Sequence, residues 1–174
     1  MSPLLDALAS IRDFFEAGGQ VLYGILAVTV LMWTFIIERL WFLHRVLPRR
    51  LEAARKDWDG RSDRNSWFAL QVRAGLVSEI RLESGRFLPQ IKTLMAVLPL
   101  LGLLGTVTGM IAVFDVMAFA GTGNARLMAA GVSRATLPTM AGLVAALSGL
   151  YFANALERKA RSEVERLQDL LVRH

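Results

Sequence analysis

Two threonines in the middle of apolar segments are the residues best placed for chemistry in this sequence. Thr106 lies within Gly102-Leu-Leu-Gly-Thr-Val-Thr-Gly109, and Thr139 lies within Leu137-Pro-Thr-Met-Ala-Gly-Leu-Val-Ala-Ala146. A helical threonine can simply bond a carbonyl one turn back, so a single threonine need not mark a polar site. At about 100° per residue, however, each threonine is the one hydroxyl on an apolar stripe. The stripe of Thr139 contains Ala135, Leu143, Ala146 and Leu150.

If both stripes face a common axis in an oligomer, they form an apolar lumen with threonine rings. Such a lumen could hold a partner helix, but it is too apolar to act as an ion pore without help from another subunit. We therefore predict that Thr106 and Thr139 line a pore or proton pathway.

Titratable groups that could carry a proton through these segments are scarce. Asp115 is the only carboxylate between residues 93 and 155. Its place near a segment end favours snorkelling or an intersubunit pair with Arg126 or Arg134 over proton transfer. The chain has no cysteine, its two histidines are far apart, and no nucleophile–base pair or phosphate loop occurs. We predict no catalytic residue, no metal, no cofactor and no enzyme activity.

Composition indicates a membrane protein. Hydrophobic residues make up 54% of the chain, compared with roughly 45–50% in soluble domains, and they concentrate in three blocks. We predict an all-α fold with three transmembrane helices over residues 21–37, 93–119 and 135–155.

The remaining residues connect these spans. We expect an N-terminal amphipathic segment over residues 1–20 and a periplasmic turn over residues 120–134. A cytoplasmic helical segment over residues 38–92 is expected to break near residues 57–65. No stop signal follows the third span, so residues 156–174 should extend it as a cytoplasmic helical tail.

Basic residues predict the orientation. Residues 38–92 contain 12 Lys and Arg and residues 156–174 contain 5, whereas the first 20 residues contain only Arg12. The positive-inside rule places such segments in the cytoplasm, so we expect a multi-pass inner-membrane protein with a periplasmic N-terminus. This topology accounts for the net charge of +5 without a nucleic-acid partner.

Small residues recur at helical spacing in the second and third spans. Because lipid tails are as apolar as leucine, helices in a membrane associate by close packing rather than by apolar burial. We predict a helix-packing and oligomer interface formed by Gly102, Gly105, Gly109, Pro138, Ala141, Gly142, Ala145 and Gly149. Packing within one chain is the alternative. Pro138 occupies either the first turn of its helix, where it costs little, or a kink in the interior, as expected for Pro99.

The two threonine-containing segments resemble the paired signature of the MotA/TolQ/ExbB proton-channel family. The similarity is strongest to the short ExbB form associated with secondary TonB systems, and it covers about residues 20–174. It implies a homopentamer in the inner membrane, with the second and third spans around a pore. That pore would hold helices of an ExbD-like partner whose aspartate carries protons, and the complex would energise a TonB-like protein for uptake across the outer membrane. Thr106 and Thr139 match the family's pore-facing polar positions.

The sequence departs from longer family members at three places. Arg134 stands where they have glutamate, Pro138 replaces a small residue, and the segment over residues 38–92 is shorter. Any role that the family assigns to this glutamate therefore does not transfer to Arg134. Two alternatives stay open: a TolQ-like or motility stator of the same superfamily, and a non-conducting membrane scaffold.

Overall fold

The computed structural model describes residues 3–63, 66–120 and 125–172, and the regular elements in these ranges are all helices. They are α1 (Pro3–Trp41), a π-helical turn (Phe42–Val46), α2 (Leu47–Asp59), α3 (Trp67–Gly85), α4 (Leu88–Ala120) and α5 (Ala125–Val172). Three helical stretches are long and apolar enough to cross a membrane: Gly18–Asp59, Trp67–Phe119 and Met128–Leu171. The predicted all-α membrane fold with three spans is confirmed.

The chain forms two compact units. The apolar unit comprises Met1–Met32 and Thr93–Gly149, and the charged unit comprises Trp33–Lys92 and Leu150–His174. Helices α1, α4 and α5 each contribute residues to both units.

Helix α5 is a single helix of 48 residues. At about 1.5 Å per residue it is roughly 72 Å long, more than twice the hydrocarbon thickness of a bilayer. The predicted continuation of the third span into a helical tail is therefore confirmed. The helix begins at Ala125, ten residues before the predicted span. The first six of these residues, 125–130, are alanine, arginine, leucine and methionine, which are all good helix formers.

This early start places Pro138 in the interior of α5, as Pro99 is in the interior of α4. The first-turn alternative for Pro138 is therefore wrong. The turn expected before the third span lies partly at residues 121–124, outside the described residues.

Helix α1 is interrupted at Gly19, whose backbone has φ 67° and ψ −167°. Residues with a side chain rarely adopt a positive φ, which accounts for glycine at this position. The interruption separates the N-terminal segment from the apolar residues that begin at Val21.

The connection between α1 and α2 passes through the π-helical turn, in which Leu47 N–H donates to the Phe42 carbonyl. Pro48 has no amide hydrogen and cannot continue an α-helical ladder here. Helix α2 ends at Asp59, and α3 begins after Ser66, whose hydroxyl accepts from Ala69 N–H at 3.1 Å as an N-cap. The predicted break in this segment is confirmed.

Arg39 is a buried cation of the charged unit, with 2% of its surface exposed. Its guanidinium donates to both carboxylate oxygens of Glu38, at 2.6 and 2.8 Å, and to the main-chain oxygen of Glu83 at 2.8 Å. It also lies 4.4 Å from the ring centre of Phe42 and 5.2 Å from that of Phe87. The Glu83 carbonyl lies in the last turn of α3, outside the regular α-helical ladder, and also accepts from Arg86 N–H at 3.4 Å. Arg39 therefore joins α1 to the junction of α3 and α4.

A second link in the charged unit joins the start of α4 to α5. Lys92 Nζ donates to Glu157 Oε2 at 2.8 Å. This hydrogen bond, together with the charge of the ammonium, lowers the pKa of the Glu157 carboxyl below its ordinary value. Both side chains are well exposed, so solvent screening keeps the contribution of the pair to stability small.

We expect Arg39→Met to lower the free energy of unfolding by roughly 1.5–3 kcal/mol, the scale of hydrogen bonds to charged groups. Arg50 is the matched control, because its guanidinium lies 3.7 Å from the Glu83 carboxylate but its side chain is 58% exposed. Arg50→Met should change stability by less than about 1 kcal/mol. Thermal unfolding of the detergent-purified variants makes the comparison. Equal losses in both would contradict the linking role of Arg39.

Candidate pore-facing site

Helices α4 and α5 approach each other until their backbones touch. A Cβ atom added to Gly102 would lie 2.9 Å from the Thr139 Cα, and one added to Gly142 would lie 2.6 Å from the Leu98 main-chain oxygen. Neither separation is tolerated between real atoms, so only glycine fits at these two positions. Leu98 pairs with Gly142 and Gly102 with Thr139, which shows that the helices are antiparallel.

Pro138 fits against the space left by Gly105. A Cβ on Gly105 would lie 2.8 Å from the Pro138 Cγ and 3.3 Å from a methyl group of Val21 in α1. About one turn further along α4, a Cβ on Gly109 would lie 2.7 Å from the Ala135 Cβ. Three helices therefore converge at Gly105, and Pro138 is fully buried there.

The other predicted packing residues differ in burial. A Cβ on Gly149 would lie 2.5 Å from the sulfur of Met32 in α1, so this glycine is also a contact within the chain. Ala141 and Ala145 are only half-buried. Contacts within one chain thus involve all five predicted glycines and Pro138, and the oligomer interface stays a prediction.

The two threonine hydroxyls bond neighbouring carbonyls of α4. Thr139 Oγ1 donates to the Gly102 carbonyl at 2.8 Å across the helix pair. Thr106 Oγ1 donates to the Leu103 carbonyl of its own helix at 2.7 Å. In an α-helix the carbonyl of Gly102 also accepts the amide of Thr106. Both residues are half-buried, but only the Thr139 hydroxyl lies in the contact between the helices, since the Thr106 hydroxyl bonds its own helix at an exposed position.

Each of these hydroxyls has used its single hydrogen and keeps oxygen lone pairs that can accept a further hydrogen bond. The arrangement can therefore receive a donor such as a protonated carboxyl group, but it has no group of its own that titrates. Thr108 lies on an exposed part of α4 and donates to the carbonyls of Leu104 and Gly105, at 3.0 and 3.1 Å.

Sequence reasoning missed the bond from Thr139 to Gly102. A helical wheel shows which residues share a face but not which helix lies opposite that face. The sequence did contain one usable signal. When two antiparallel helices are joined by a short connection, residues at similar numbers of positions from that connection lie opposite each other. Gly109 with Ala135 and Gly102 with Thr139 fit this rule approximately.

Asp115 and Arg134, two residues of the predicted interfacial pair, are not joined to each other in the part of the chain that the structure describes. Asp115 and Arg134 are both exposed, and neither makes an ion pair with a residue that the structure describes. The side chain of Arg126 lies outside the described residues. Within the described ranges, no group of three or more histidine or acidic side chains is placed to hold a metal. Pairing of Asp115 across subunits stays a prediction.

The model of the MotA/TolQ/ExbB proton channel family matches residues 48–169. The chain belongs to this family. The matched range includes α4 and α5 up to Asp169, and therefore both threonines and their glycines. The chain is a membrane subunit of the proton-channel type, and the resemblance suggested by the sequence is confirmed.

Two relatives from Synechocystis carry the same family name. The biopolymer transport protein ExbB-like 1 is 29% identical over 184 residues, which covers 86% of this chain and 72% of the relative. A second, ExbB-like 3, is 38% identical over 89 residues, which covers 50% of this chain and 42% of the relative. Both similarities point to the ExbB branch of the family.

We expect Gly142→Ala to destabilise the helix pair, since the added methyl group would meet the Leu98 carbonyl. The cost should be roughly 1–3 kcal/mol, as for other overpacked sites. Gly24→Ala is the control, because a Cβ there meets nothing within 4 Å and alanine favours a helix by up to about 1 kcal/mol. Thermal unfolding in detergent should show a loss for the first variant and none for the second. A Gly142→Ala protein as stable as Gly24→Ala would show that α4 and α5 are not in backbone contact.

Proposed function

We propose that this chain is the pore-forming stator subunit of an inner-membrane complex that uses the proton motive force to energise a TonB-like protein for uptake across the outer membrane. It acts as a homopentamer with an ExbD-like subunit, and its helices α4 and α5 surround the helices of that partner. The observation that carries the proposal is that the Thr139 and Thr106 hydroxyls bond neighbouring carbonyls of α4, those of Gly102 and Leu103, within helices that lack a carboxylate at that depth.

The distribution of polar groups supports a two-component proton path. A titrating group is the usual carrier of a proton across a low-dielectric region, and Asp115, the only carboxylate in these spans, is exposed and lies more than two helical turns beyond Thr106. The threonine oxygens can accept a hydrogen bond from a protonated acid. The titrating acid is therefore supplied by the partner, and this chain supplies the polar ring that it meets.

The number of spans supports an oligomer. Three helices per chain cannot enclose a lumen wide enough for a partner helix, so several copies must contribute walls. Ala141 and Ala145 retain exposed surface after the contacts within the chain are made, and they are the residues we assign to the neighbouring subunit. The excess of basic residues in the connecting segment and the tail supports a periplasmic N-terminus and a cytoplasmic C-terminus.

Two alternatives have some support. The family includes TolQ and MotA as well as ExbB, so a Tol or motility stator would have the same site. The five glycines that pack within one chain also suit a scaffold that conducts nothing. Proton flux in liposomes, with and without the co-expressed partner, separates a scaffold from a channel, and identification of the co-purifying partner separates the stators.

We expect a cysteine at position 106 to crosslink to a cysteine on the pore helix of the ExbD-like partner. The chain has no cysteine of its own, so the introduced cysteine is the one thiol that this chain contributes to the reaction. Leu31→Cys on α1 is the control, because this residue is exposed but not on a proposed pore helix. Crosslinking of the partner from position 31 and not from position 106 would contradict the proposed pore.

We expect Thr139→Ala to lower partner-dependent proton flux and uptake by up to about tenfold, the effect of losing one hydrogen bond of roughly 1.5 kcal/mol. Assembly should persist, because hydrogen bonds between membrane helices contribute only about 0.6 kcal/mol on average. Thr139→Ser keeps the hydroxyl and should retain activity. Thr136→Ala is the matched control, because the Thr136 hydroxyl bonds only the Ser133 carbonyl of its own helix. Normal flux in an assembled Thr139→Ala complex would remove Thr139 from the pathway.

A further inference from the structure

A cleft of about 740 Å³ lies in the apolar unit next to the convergence point at Gly105. Residues of α1, α4 and α5 line it, among them Gly19, Ala112, Val116 and Arg134. The volume falls within the range of roughly 300–1,000 Å³ found for ligand sites in proteins.

The cleft exists because small residues continue beyond the point where the helices meet. At Gly105 the space between helices is filled by Pro138 and Val21. Beyond it, half of the lining residues are glycine or alanine, and α1 is interrupted at Gly19. The three helices therefore leave a space that their own side chains do not fill.

An unfilled apolar space of this size is unfavourable, because the atoms that line it lose dispersion contacts. In a chain that spans a membrane, the molecules next to such an opening are lipids, and their acyl chains match its apolar walls. Water would gain few hydrogen bonds there, since among the described residues of the lining only Gln20, Thr108 and Arg134 have polar side chains.

Arg134 determines which lipid fits. It is the one charged residue among the described residues that line the cleft, its side chain is exposed, and it makes no ion pair with a described residue. Asp115 does not line the cleft. A guanidinium binds phosphate oxygens in pairs, and basic pockets between membrane helices bind anionic lipid headgroups. We propose that the cleft is a binding site for one anionic phospholipid, with an acyl chain against Ala112 and Val116 and the headgroup on Arg134.

This site does not depend on the proposed pore. It requires only that the chain spans a membrane. The site can therefore be tested separately from the stator function, and either can fail without the other.

The test is native mass spectrometry of the detergent-purified complex, titrated with phosphatidylglycerol or with phosphatidylcholine of the same acyl chains. We expect one phosphatidylglycerol per chain to be retained in preference to phosphatidylcholine. Arg134→Gln should lower that preference about fivefold, the effect of one basic residue near an anionic lipid, and Arg134→Lys should keep most of it. Ala112→Phe should displace both lipids by filling the cleft. Arg49→Gln, which removes an exposed charge that does not line the cleft, should change neither.

Equal retention of the two lipids by the unmodified complex would overturn the proposal, as would an unchanged preference in Arg134→Gln. A cysteine at position 116 distinguishes lipid from protein as the occupant. Efficient crosslinking from that position to a second copy of the chain or to a partner helix would mean that protein covers the cleft, and the lipid site would be rejected. Labelling of position 116 by a photoactivatable phosphatidylglycerol, lost in Ala112→Phe, would support it.

Discussion

The structure of the apolar unit depends on the approach of α4 and α5 to backbone contact. Lipid removes the hydrophobic force that would hold two helices together in water, so their association relies on dispersion and hydrogen bonds, both of which weaken steeply with distance. Gly102 and Gly142 remove the Cβ atoms that would keep the helices apart. Only at this separation can the Thr139 hydroxyl reach the Gly102 carbonyl. The interhelical hydrogen bond is therefore a consequence of where the glycines lie.

The same contact gives a physical reason for the prolines. A proline inside a helix leaves the carbonyl four residues earlier without its amide donor, which would be costly in isolation. Pro138 offsets part of that cost, because its ring fills the space against Gly105. Pro99 directly follows Leu98, whose carbonyl is closely approached by Gly142. Each proline thus lies at, or next to, a position where the opposite helix has a glycine. The close packing at these positions compensates for the backbone hydrogen bond that each proline removes.

Periodicity and composition were sufficient to predict the all-helical fold, the three spans and the continuous third helix, since each depends on local sequence. The positions of side chains relative to other helices were not predictable in the same way. The wheel placed Thr139 on one stripe with Ala135 and Ala146, as if all three faced a lumen, but both alanines are buried within the chain. The burial of Arg39 against the junction of α3 and α4 was likewise not predicted, since the sequence shows it only as one basic residue of the segment over residues 38–92. Such contacts join residues distant in sequence, and no local pattern encodes them.

The cost of charge inside a membrane indicates why the titrating group of the proposed pathway belongs on another chain. An acid fixed at the depth of Thr106 would be repeated in every copy of an oligomer, and several carboxylates facing one lumen could not all ionise. In the proposed complex the acid comes from a partner helix instead, and the hydroxyls can serve both of its protonation states. They accept a hydrogen bond from the protonated acid as they now stand, and they donate to the carboxylate after rotation away from the Leu103 and Gly102 carbonyls. That rotation is inexpensive, because the Gly102 carbonyl keeps its helical amide partner. A ring of threonines can therefore bind the acid in both its charged and its neutral form. A ring of fixed carboxylates would repel the charged form.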